Sequence, residues 1–419
     1  MNSSKTVLII GGGVIGLSTA YYAAKWGHRV TVMDRNPEQR DGCSFGNAGL
    51  VVPSHFVPLA APGMVALGLK WMWSPESPFY IKPRLDRELL DWSWKFWRAS
   101  TREHVRRAAP LLRDLNLASR ACFEELSNLP NTDFGLAKRG LLVLCKTQHA
   151  LDEEAKTVAQ ARSLGMAASV LDAKQTAALD PNVRMDVAGS VHFPMDCHLS
   201  PNRFMASLKA ECDRLGVTFL WNTDIQRINC DGSRVTGVQA CGGEHSADEF
   251  ILCAGCWSSG IAQELGLRIP MQAGKGYSLT LPKPPVLPAL PALCNEARVA
   301  VTPMGGALRF AGTMEIAGLN EEINPVRVGG IIKSISKYYP EFTSELFKAV
   351  SPWRGLRPCS PDGLPYVGRP GSFKNLIIAT GHAMMGLSLG PITGKLVAEI
   401  VSGTNLSITI ELLNPDRYA

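Results

Sequence analysis

A glycine-rich turn between a short apolar strand and an apolar helix constrains the fold of this chain most. Residues 7–10 form a β-branched run that predicts a buried strand, and residues 17–25 predict a helix. Between them, Gly11, Gly13 and Gly16 have the spacing G-x-G-x-x-G. In this motif the first glycine permits a tight turn, the second lets the backbone approach a pyrophosphate, and the third lets helix and strand pack closely. The sequence therefore predicts an α/β sheet that binds a dinucleotide at the start of its first helix.

A second strand and an acidic residue complete this unit. Residues 29–33 predict a strand, and Asp34 follows it, 18 residues beyond Gly16. An acid at this position holds a ribose 2′-hydroxyl and repels a 2′-phosphate, so NADP is disfavoured. An ordinary glycine-rich turn would lack this ordered context. The unit by itself leaves FAD and NAD both open.

Composition narrows the class of protein. The chain has 419 residues, enough for two or three domains, and 46% hydrophobic residues, which suits a globular core. The net charge of +6 is spread along the chain and does not indicate a nucleic-acid partner. We expect no signal peptide and no membrane-spanning helix. The 11 cysteines are scattered along the chain and lack histidines at ligand spacing, so we expect free thiols, a cytoplasmic location and no metal site.

Two more strand–turn–helix junctions follow far along the chain. The first lies at 249–265 and the second at 376–401, where the helix is predicted from Pro391 onward. A nicotinamide-binding fold does not need the last junction. An FAD-binding fold does, because its N- and C-terminal segments meet around a larger cofactor. The segment before it, 353–368, predicts a run of turns.

The chain between the first glycine turn and the last junction predicts further strands and helices, and the strands from 271 onward predict a second sheet. Strands are predicted at 140–144, 187–193, 271–281, 298–302 and 308–311, and helices at 109–129, 148–178, 325–337 and 342–348. Residues 35–49 predict a loop in which Ser44 and the backbone of 47–49 either line a ligand or form a plain connection.

Aromatic and basic residues are concentrated between positions 64 and 107. Residues 86–100 predict a helix with Leu90, Trp94 and Trp97 on one face. Such a surface can lie at a membrane interface, which would make the protein peripheral on the inner face of the cell membrane. We favour the other interpretation, that these aromatic residues form the inner face of a helical domain, because aromatic stripes are usually core.

These motifs together resemble the FAD-dependent amine oxidoreductases of the D-amino acid oxidase and glycine oxidase type. Their spacing is most similar to that of the bacterial D-amino acid dehydrogenases, over essentially the whole chain. The dehydrogenase-like signatures are Phe45 to Gly49, Trp73 to Pro78, Lys275 to Leu279, and Arg357-Pro358 with Pro361 to Gly363. The resemblance implies an α/β fold with a discontinuous Rossmann-like FAD-binding domain (1-60, 195-265 and 350-419). It also implies a substrate domain with an antiparallel sheet and helices (61-194 and 266-349).

The resemblance also implies roles for individual residues. Arg357, in Gly-Leu-Arg-Pro, matches the arginine that clamps the substrate carboxylate, with Arg354 as the competing candidate and a surface salt bridge as the structural alternative. Tyr277 could hydrogen-bond the substrate and His382 could border the flavin, or either could be packed scaffold. The cofactor-binding set is Gly11, Gly13, Val14, Ile15, Gly16, Asp34, Arg35, Ser44, Asn47, Ala48, Gly49, Ile225, Ala254, Gly255, Trp257, Gly381, His382, Met385, Gly386 and Leu387. FAD is expected to be non-covalent, because the attachment cysteine of sarcosine oxidases would fall near Gly355, where Cys359 does not align.

The implied reaction is the oxidation of a D-amino acid, with a hydride passing from Cα to the flavin and water hydrolysing the imino acid to a 2-oxo acid. Electrons would leave for a quinone or another carrier. D-Proline or cis-4-hydroxy-D-proline is the narrow specificity that relatives of this length suggest. Two alternatives stay open: a glycine or sarcosine oxidase that uses oxygen, and a flavin-bearing subunit of a hetero-oligomeric dehydrogenase.

Overall fold

The computed structural model describes residues 4–72 and 74–419; Trp73, part of one predicted signature, lies outside the described residues. Strands within these ranges are given in chain order. They are β1 (Thr6–Ile10), β2 (Arg29–Met33), β3 (Leu50–Val51), β4 (Phe79–Ile81), β5 (Leu141–Cys145), β6 (Ser169–Asp172), β7 (Gly189–Phe193), β8 (Cys197–His198), β9 (Thr218–Leu220), β10 (Ile225–Asp231), β11 (Arg234–Ala240), β12 (Gly243–His245), β13 (Glu249–Leu252), β14 (Gln272–Leu281), β15 (Ala292–Cys294), β16 (Val299–Met304), β17 (Ala307–Ile316), β18 (Trp353–Cys359), β19 (Tyr366–Gly368) and β20 (Leu376–Thr380).

The α-helices of the same ranges surround these strands. They are α1 (Val14–Lys25), α2 (Met64–Met72), α3 (Arg87–Ala99), α4 (Arg102–Ser127), α5 (Gln148–Ser163), α6 (Ala173–Leu179), α7 (Pro201–Arg214), α8 (Ser258–Glu264), α9 (Pro325–Tyr338) and α10 (Gly386–Ser402). Side-chain caps start several of them: Asp86 accepts the N–H of Glu88 at α3, and Thr101 accepts that of His104 at α4.

A six-stranded sheet carries the glycine-rich turn. Its order is β19-β20-β13-β1-β2-β9, and every pair is parallel except β19 with β20. Strands β13 and β20 are buried along their whole length, as expected for a parallel sheet covered on both faces. The carboxyl ends of β1, β13 and β20 all open into glycine turns, so three distant parts of the sequence meet at one edge of the sheet.

A nine-stranded, mainly antiparallel sheet forms the second layer. Its order is β18-β14-β17-β16-β15-β5-β7-β6, with β4 paired to β17. Two smaller sheets complete the fold: β10-β11-β12 and β3-β8. The fold is therefore α/β, with a mainly parallel six-stranded sheet and, as expected, a mainly antiparallel nine-stranded sheet. The division into two discontinuous domains stays a prediction. All strands of the six-stranded sheet lie in its predicted FAD segments, but β18, also in 350-419, pairs with β14 in the other sheet.

Helices α1 and α10 pack unusually closely against each other. A Cβ on Gly394 would lie 2.4 Å from the carbonyl carbon of Ser18, and one on Gly390 would lie 2.8 Å from Cγ2 of Val14. Residues 383–402 are long and apolar enough to span a membrane by length and composition, but most of that stretch is buried here in the protein interior. All eleven cysteines are free thiols.

The segment 353–368 differs from its prediction as a run of turns. Residues Trp353–Cys359 form β18, paired antiparallel with β14. The glycine and proline of Gly-Leu-Arg-Pro conceal this strand in the sequence, because both residues are rare in strand interiors. Pro358 is accommodated since β18 lies at the edge of its sheet, where a missing N–H costs no ladder hydrogen bond.

Helix boundaries also differ from the sequence prediction. Helix α10 begins at Gly386, so Pro391 lies inside it rather than at its start. Helix α4 starts at Arg102 and contains a proline as well. In both helices, packing in the core outweighs the usual cost of an interior proline. The predicted helical stretch 148–178 is interrupted by β6.

The favoured interpretation of the aromatic stretch is wrong for one face of α3. Leu89 and Trp92 are buried against Met314 and Cys359, but Leu90, Trp94 and Trp97 are more than half exposed to solvent. Both faces of this helix are apolar, so the spacing of aromatic residues could not tell which one meets the sheet.

Candidate active site

The glycine turn after β1 forms a cradle at the N-terminus of α1. Gly11 has φ +107°, and a Cβ there would lie 2.5 Å from the carbonyl oxygen of Cys253. A Cβ on Gly16 would lie 1.8 Å from the carbonyl oxygen of Gly11, so the helix approaches the turn as closely as a backbone allows. By contrast, a Cβ on Gly13 would meet only Ser44 Oγ, at 3.6 Å. The space in front of Gly13 is open, which fits a diphosphate at the helix N-terminus.

Two polar side chains flank this cradle. Ser44 Oγ accepts the N–H of Val14 at 3.0 Å, so the loop 42–47 lies against the start of α1. Asp34, at the end of β2, accepts the N–H of Gly12 at 2.7 Å through one carboxylate oxygen. Its other oxygen accepts the N–H of Asn36. Asp34 is thereby held beside the turn, where a ribose hydroxyl would lie.

A cleft of about 420 Å³ runs from this cradle toward the third glycine turn. Most of the predicted cofactor residues line it: Gly11, Gly13, Val14, Ile15, Asp34, Arg35, Ser44, Asn47, Ile225, Ala254, Gly255, Trp257, His382, Gly386 and Leu387. At one end of the cleft the guanidinium of Arg35 lies 3.9 Å from the ring centroid of Trp257. The cleft thus joins all three strand–turn–helix junctions, as an extended dinucleotide requires.

Five predicted cofactor residues do not line the cleft, namely Gly16, Ala48, Gly49, Gly381 and Met385. Packing explains the glycines among them. A Cβ on Gly49 would lie 2.3 Å from the carbonyl oxygen of Leu199, and one on Gly381 would lie 2.8 Å from the ring of Tyr366. These glycines let backbone segments approach one another, and a cofactor is not needed to explain them.

His382 forms part of the C-terminal wall of the cleft. Its ring is buried, and Nε2 lies 3.0 Å from Oγ1 of Thr393. Its Nδ1 is buried and has no hydrogen-bond partner among the residues that the structure describes. Burial lowers the pKa of His382 to about 3, so the ring is neutral at physiological pH. The next residue, Ala383, has φ +47°, a conformation that non-glycine residues adopt rarely. An orphaned nitrogen beside a strained turn fits a polar cofactor edge at this position.

Arg357 lies on the face of the nine-stranded sheet that is directed at the loop 42–47. A Cβ on Gly276 would lie 2.1 Å from both terminal nitrogens of Arg357, so the guanidinium occupies the space left by that glycine. Its Nη1 donates to the carbonyl oxygen of Thr313 at 2.7 Å. Its charge also opposes the rise in the pKa of the Cys43 thiol that burial causes. Its neighbours on β18, Leu356 and Pro358, line the cleft, so Arg357 lies next to the cleft although its own side chain is not among the lining residues.

Tyr277, predicted to hydrogen-bond the substrate, points away from this site. It follows Gly276 on β14, and successive side chains in a strand point to opposite faces. Its ring is fully buried among core residues under α9, and its hydroxyl donates to Glu315 at 2.7 Å. The N–H of Asn324 donates to the same hydroxyl at 3.2 Å. The structure therefore assigns Tyr277 a scaffold role and corrects its prediction as a catalytic residue.

Arg354, the competing candidate for the carboxylate clamp, is already paired. Its guanidinium contacts Asp41 at 2.5 Å and Glu321 at 3.7 Å. Arg357, by contrast, contacts no carboxylate within the described part of the chain. Of the two arginines, only Arg357 is placed to bind an incoming anion.

Arg309 is a site residue that the sequence did not reveal. It lies on β17 and is buried, and its Nη1 donates to the carbonyl oxygens of Phe45 and Asn47 at 3.0 and 2.8 Å. Its Nε donates to Thr280 Oγ1 at 3.0 Å. Burial lowers its pKa to about 10, so it stays charged at neutral pH. Arg309 thus joins the loop of the cofactor cleft to the second sheet. No motif marks it, because its partners are backbone atoms some 260 residues away.

A second cavity of about 420 Å³ lies on the same side of the nine-stranded sheet. It is lined by Arg309, Ser278, Thr280 and Trp353, together with Phe45 and Gly46 of the loop 42–47. Trp353 packs against Gly46, where a Cβ would lie 2.0 Å from the indole ring. The indole Nε1 donates to the carbonyl of Asp41 at 2.8 Å. The space between the two sheets is therefore divided into a cofactor cleft and an adjoining cavity.

Comparisons of this chain with known proteins agree on the class of protein to which it is similar. The family model for FAD-dependent oxidoreductases of the DAO type matches residues 6–400. A D-amino acid dehydrogenase of Bradyrhizobium diazoefficiens is 35% identical over 424 residues, covering 99% of both chains. One of Granulibacter bethesdensis is 32% identical, also over 99% of both. The crystal structure of glycine oxidase from Geobacillus kaustophilus superposes with a TM-score of 0.78 at 23% identity, covering 100% of both chains.

The chain belongs to the DAO family of FAD-dependent oxidoreductases. It is an enzyme, and its cofactor is FAD, as the resemblance implied. The cradle at Gly13, the carboxylate of Asp34 and the orphaned nitrogen of His382 are the features of this chain that fit the diphosphate, the ribose and the ring portion of that cofactor.

Proposed function

We propose that this protein is a D-amino acid dehydrogenase that binds FAD non-covalently. The observation that carries the proposal is the guanidinium of Arg357, which lies over Gly276 at the edge of the cofactor cleft and has no carboxylate partner in the described structure. The two relatives named D-amino acid dehydrogenase, which match nearly the whole chain, support the same substrate class.

Arg357 is suited to hold the carboxylate of an amino acid. A guanidinium has five N–H donors, and Thr313 takes one of them from Nη1, which leaves donors for two parallel bonds to a carboxylate. The bond to Thr313 holds the guanidinium in one orientation before substrate arrives. Little side-chain entropy is then lost on binding. The carboxylate is fixed at the sheet, and Cα is directed toward the cleft.

The chemistry needs orientation more than acid–base catalysis. FAD, when bound, supplies the acceptor for the hydride that leaves Cα. The protein's part is to hold Cα in place and to exclude water from the cleft. His382 is neutral because burial lowers its pKa to about 3, so it does not take up the amine proton near neutral pH. We assign no catalytic base, since an amine bound in its neutral form gives up only the hydride on Cα, and water then hydrolyses the iminium product to the 2-oxo acid and ammonium.

The proposal also covers the electron acceptor and the exact substrate. We assign the reoxidation step to a quinone or a similar carrier, in a protein that acts on the cytoplasmic side. D-Proline and cis-4-hydroxy-D-proline are the proposed narrow substrates. The cavity lined by Trp353, Ser278 and Thr280 lies on the same face of β18 as Arg357, which supports space for a side chain beyond Cα.

Anaerobic reduction of the flavin tests the proposal. The flavin absorbance of the purified holoenzyme is followed with D- and L-amino acids, D-proline, its 4-hydroxy form, glycine and sarcosine. We expect bleaching by D-amino acids and slow reoxidation in air. The Arg357→Leu variant should keep its flavin and require at least about tenfold more substrate, whereas Arg354→Leu, which removes the paired arginine, should not.

Other outcomes would replace the proposal. Bleaching by glycine or sarcosine alone, with fast reoxidation in air, would make the protein an amine oxidase. The glycine oxidase fold is the observation that keeps this second candidate in view. A flavin-loaded protein that no amino acid bleaches would indicate a subunit whose chemistry depends on a partner chain.

A further inference from the structure

Helix α3 presents an apolar face to solvent instead of burying it. Leu90, Trp94 and Trp97 are 61%, 55% and 56% exposed, and their spacing of four and three residues places them on one side of the helix. The two indole rings lie 5.0 Å apart and form one continuous surface. Leu85, just before the helix, is fully exposed. We call this set, Leu85, Leu90, Trp94 and Trp97, the α3 apolar face.

Basic side chains border this face. Arg87 lies one turn from Leu90, and Arg98 lies one turn from Trp94. Both are exposed, as is Lys82 shortly before the helix. None of the three forms an ion pair with an acid in the described structure, whereas the nearby Asp91 is paired with Lys95 and Arg268. The rim of the face therefore carries uncompensated positive charge.

The opposite side of α3 is rigidly attached to the protein. Trp92 is buried, and its indole N–H donates to the carbonyl oxygen of Cys359 at 2.8 Å. Its ring stacks on that of Phe96 with centroids 5.1 Å apart. Because Cys359 ends β18, the strand that carries Arg357, the exposed face is held directly behind the substrate strand. Its exposure is thus not a result of fraying.

We propose that the α3 apolar face docks onto the surface of an anionic lipid bilayer. Tryptophan has an apolar ring and a polar N–H, and it prefers the boundary between headgroups and acyl chains. Arginine beside such a face attracts anionic headgroups while its stem covers apolar surface. Helices of this kind lie in the plane of the interface. This docking would bring the flavin enzyme to a lipid-soluble acceptor, a link that rests on the proposed function, although the docking itself does not.

Co-sedimentation of the holoenzyme with lipid vesicles tests the inference. Vesicles of phosphatidylcholine and phosphatidylglycerol in equal parts should sediment the protein, and pure phosphatidylcholine should do so much less. Trp94→Gln with Trp97→Gln should weaken binding at least about tenfold through lost apolar contact. Arg87→Gln with Arg98→Gln should weaken it about 25-fold, and added salt should do the same.

Matched control variants distinguish binding through the α3 apolar face from non-specific adsorption to vesicles. Trp26→Gln removes an exposed tryptophan at the end of α1, and Arg227→Gln with Arg234→Gln removes two exposed arginines from the small three-stranded sheet. Both controls should bind vesicles like the wild type. Flavin absorbance reports folding and activity with a soluble dye reports the proposed function, so an α3 variant that keeps its flavin but no longer binds vesicles supports docking whether or not the proposed function holds.

Three results would overturn the inference. The first is a wild type that stays in solution with anionic vesicles, and the second is tryptophan variants that bind as well as the wild type. The third is a dimer in light scattering that becomes a monomer in the tryptophan variants, which would show that a second copy covers the face.

Discussion

The carbonyl oxygen of Thr313 accepts a hydrogen bond from Nη1 of Arg357 at 2.7 Å, and Thr313 itself has φ +69°. A positive φ is rare for a β-branched residue, and here it coincides with a break in register between β14 and β17. The bulge turns a carbonyl group out of the ladder and toward the guanidinium. Strained backbone of this kind is typical of sites that hold a functional group in place.

Gly276→Ala should damage substrate binding without removing the flavin. The new Cβ would lie 2.1 Å from both terminal nitrogens of Arg357, so the guanidinium must move off its bond to Thr313. We expect KM for a D-amino acid to rise at least about tenfold. The measurement is steady-state kinetics together with the flavin absorbance of the purified variant. Equal KM values in the variant and the wild type would contradict this geometry.

Gly16→Ala should lower the stability of the apoprotein, whereas Gly13→Ala should lower its affinity for FAD. At Gly16 the Cβ would lie 1.8 Å from the carbonyl oxygen of Gly11, so the apoprotein should lose more than about 2 kcal/mol in its free energy of unfolding. At Gly13 the Cβ meets only Ser44 Oγ at 3.6 Å, so the apoprotein should keep its stability. The same Cβ fills the space proposed for the diphosphate, and FAD should bind more weakly. Urea unfolding and FAD titration, performed on the same two apoproteins, separate these effects.

Arg309→Met should make the loop 42–47, which lies beside the cofactor cleft, less firmly held. Two partly buried carbonyl groups, of Phe45 and Asn47, would lose their donor, at a cost of about 1 kcal/mol each. We expect faster FAD release, measured by the recovery of flavin fluorescence. Arg327→Met is the control, because Arg327 is also buried but donates to the backbone of Ser77, away from the cleft. If both variants release FAD at the same rate, the effect is one of general stability.

Asp196 should give the protein a specific pH dependence of stability. Burial raises its pKa to about 7, although the hydroxyl and N–H of Ser54, which donate to the carboxyl group, act in the opposite direction. A raised carboxyl pKa means that the folded state holds a proton that the unfolded state has released. This contribution to stability is present below pH 4 and is lost as the pH rises toward 7.

Asp196→Asn tests this dependence. The amide stays neutral and can keep a partner in Ser54, so the variant should gain stability relative to the wild type as the pH rises from about 4 to 7. Urea midpoints of both proteins across this range provide the measurement. A stability difference that does not change with pH would show that Asp196 is ionised throughout.

Local sequence was enough to predict the backbone of the first strand–turn–helix unit. The G-x-G-x-x-G turn, the following helix and Asp34 lie within one stretch of chain, and each requires a specific backbone geometry. Only glycine satisfies the contacts at Gly11 and Gly16, so residue type and position are enough to predict that geometry. At the junction after β13, Gly255 has φ +56°, a conformation that favours glycine, and it lines the same cleft.

Only the tertiary structure decided which faces of strands and helices meet. Tyr277 and Gly276 are neighbours in sequence, yet one lies in the core beneath the sheet and the other makes room for Arg357. Arg354 and Arg357 likewise differ by their neighbours alone: Asp41 pairs with the first, and the bulge at Thr313 orients the second. The two apolar sides of α3 are equivalent in spacing, and packing selected the side with Trp92. These outcomes depend on pairing between segments far apart in the chain, and that pairing is set by the summed burial of the whole core, which no local pattern contains.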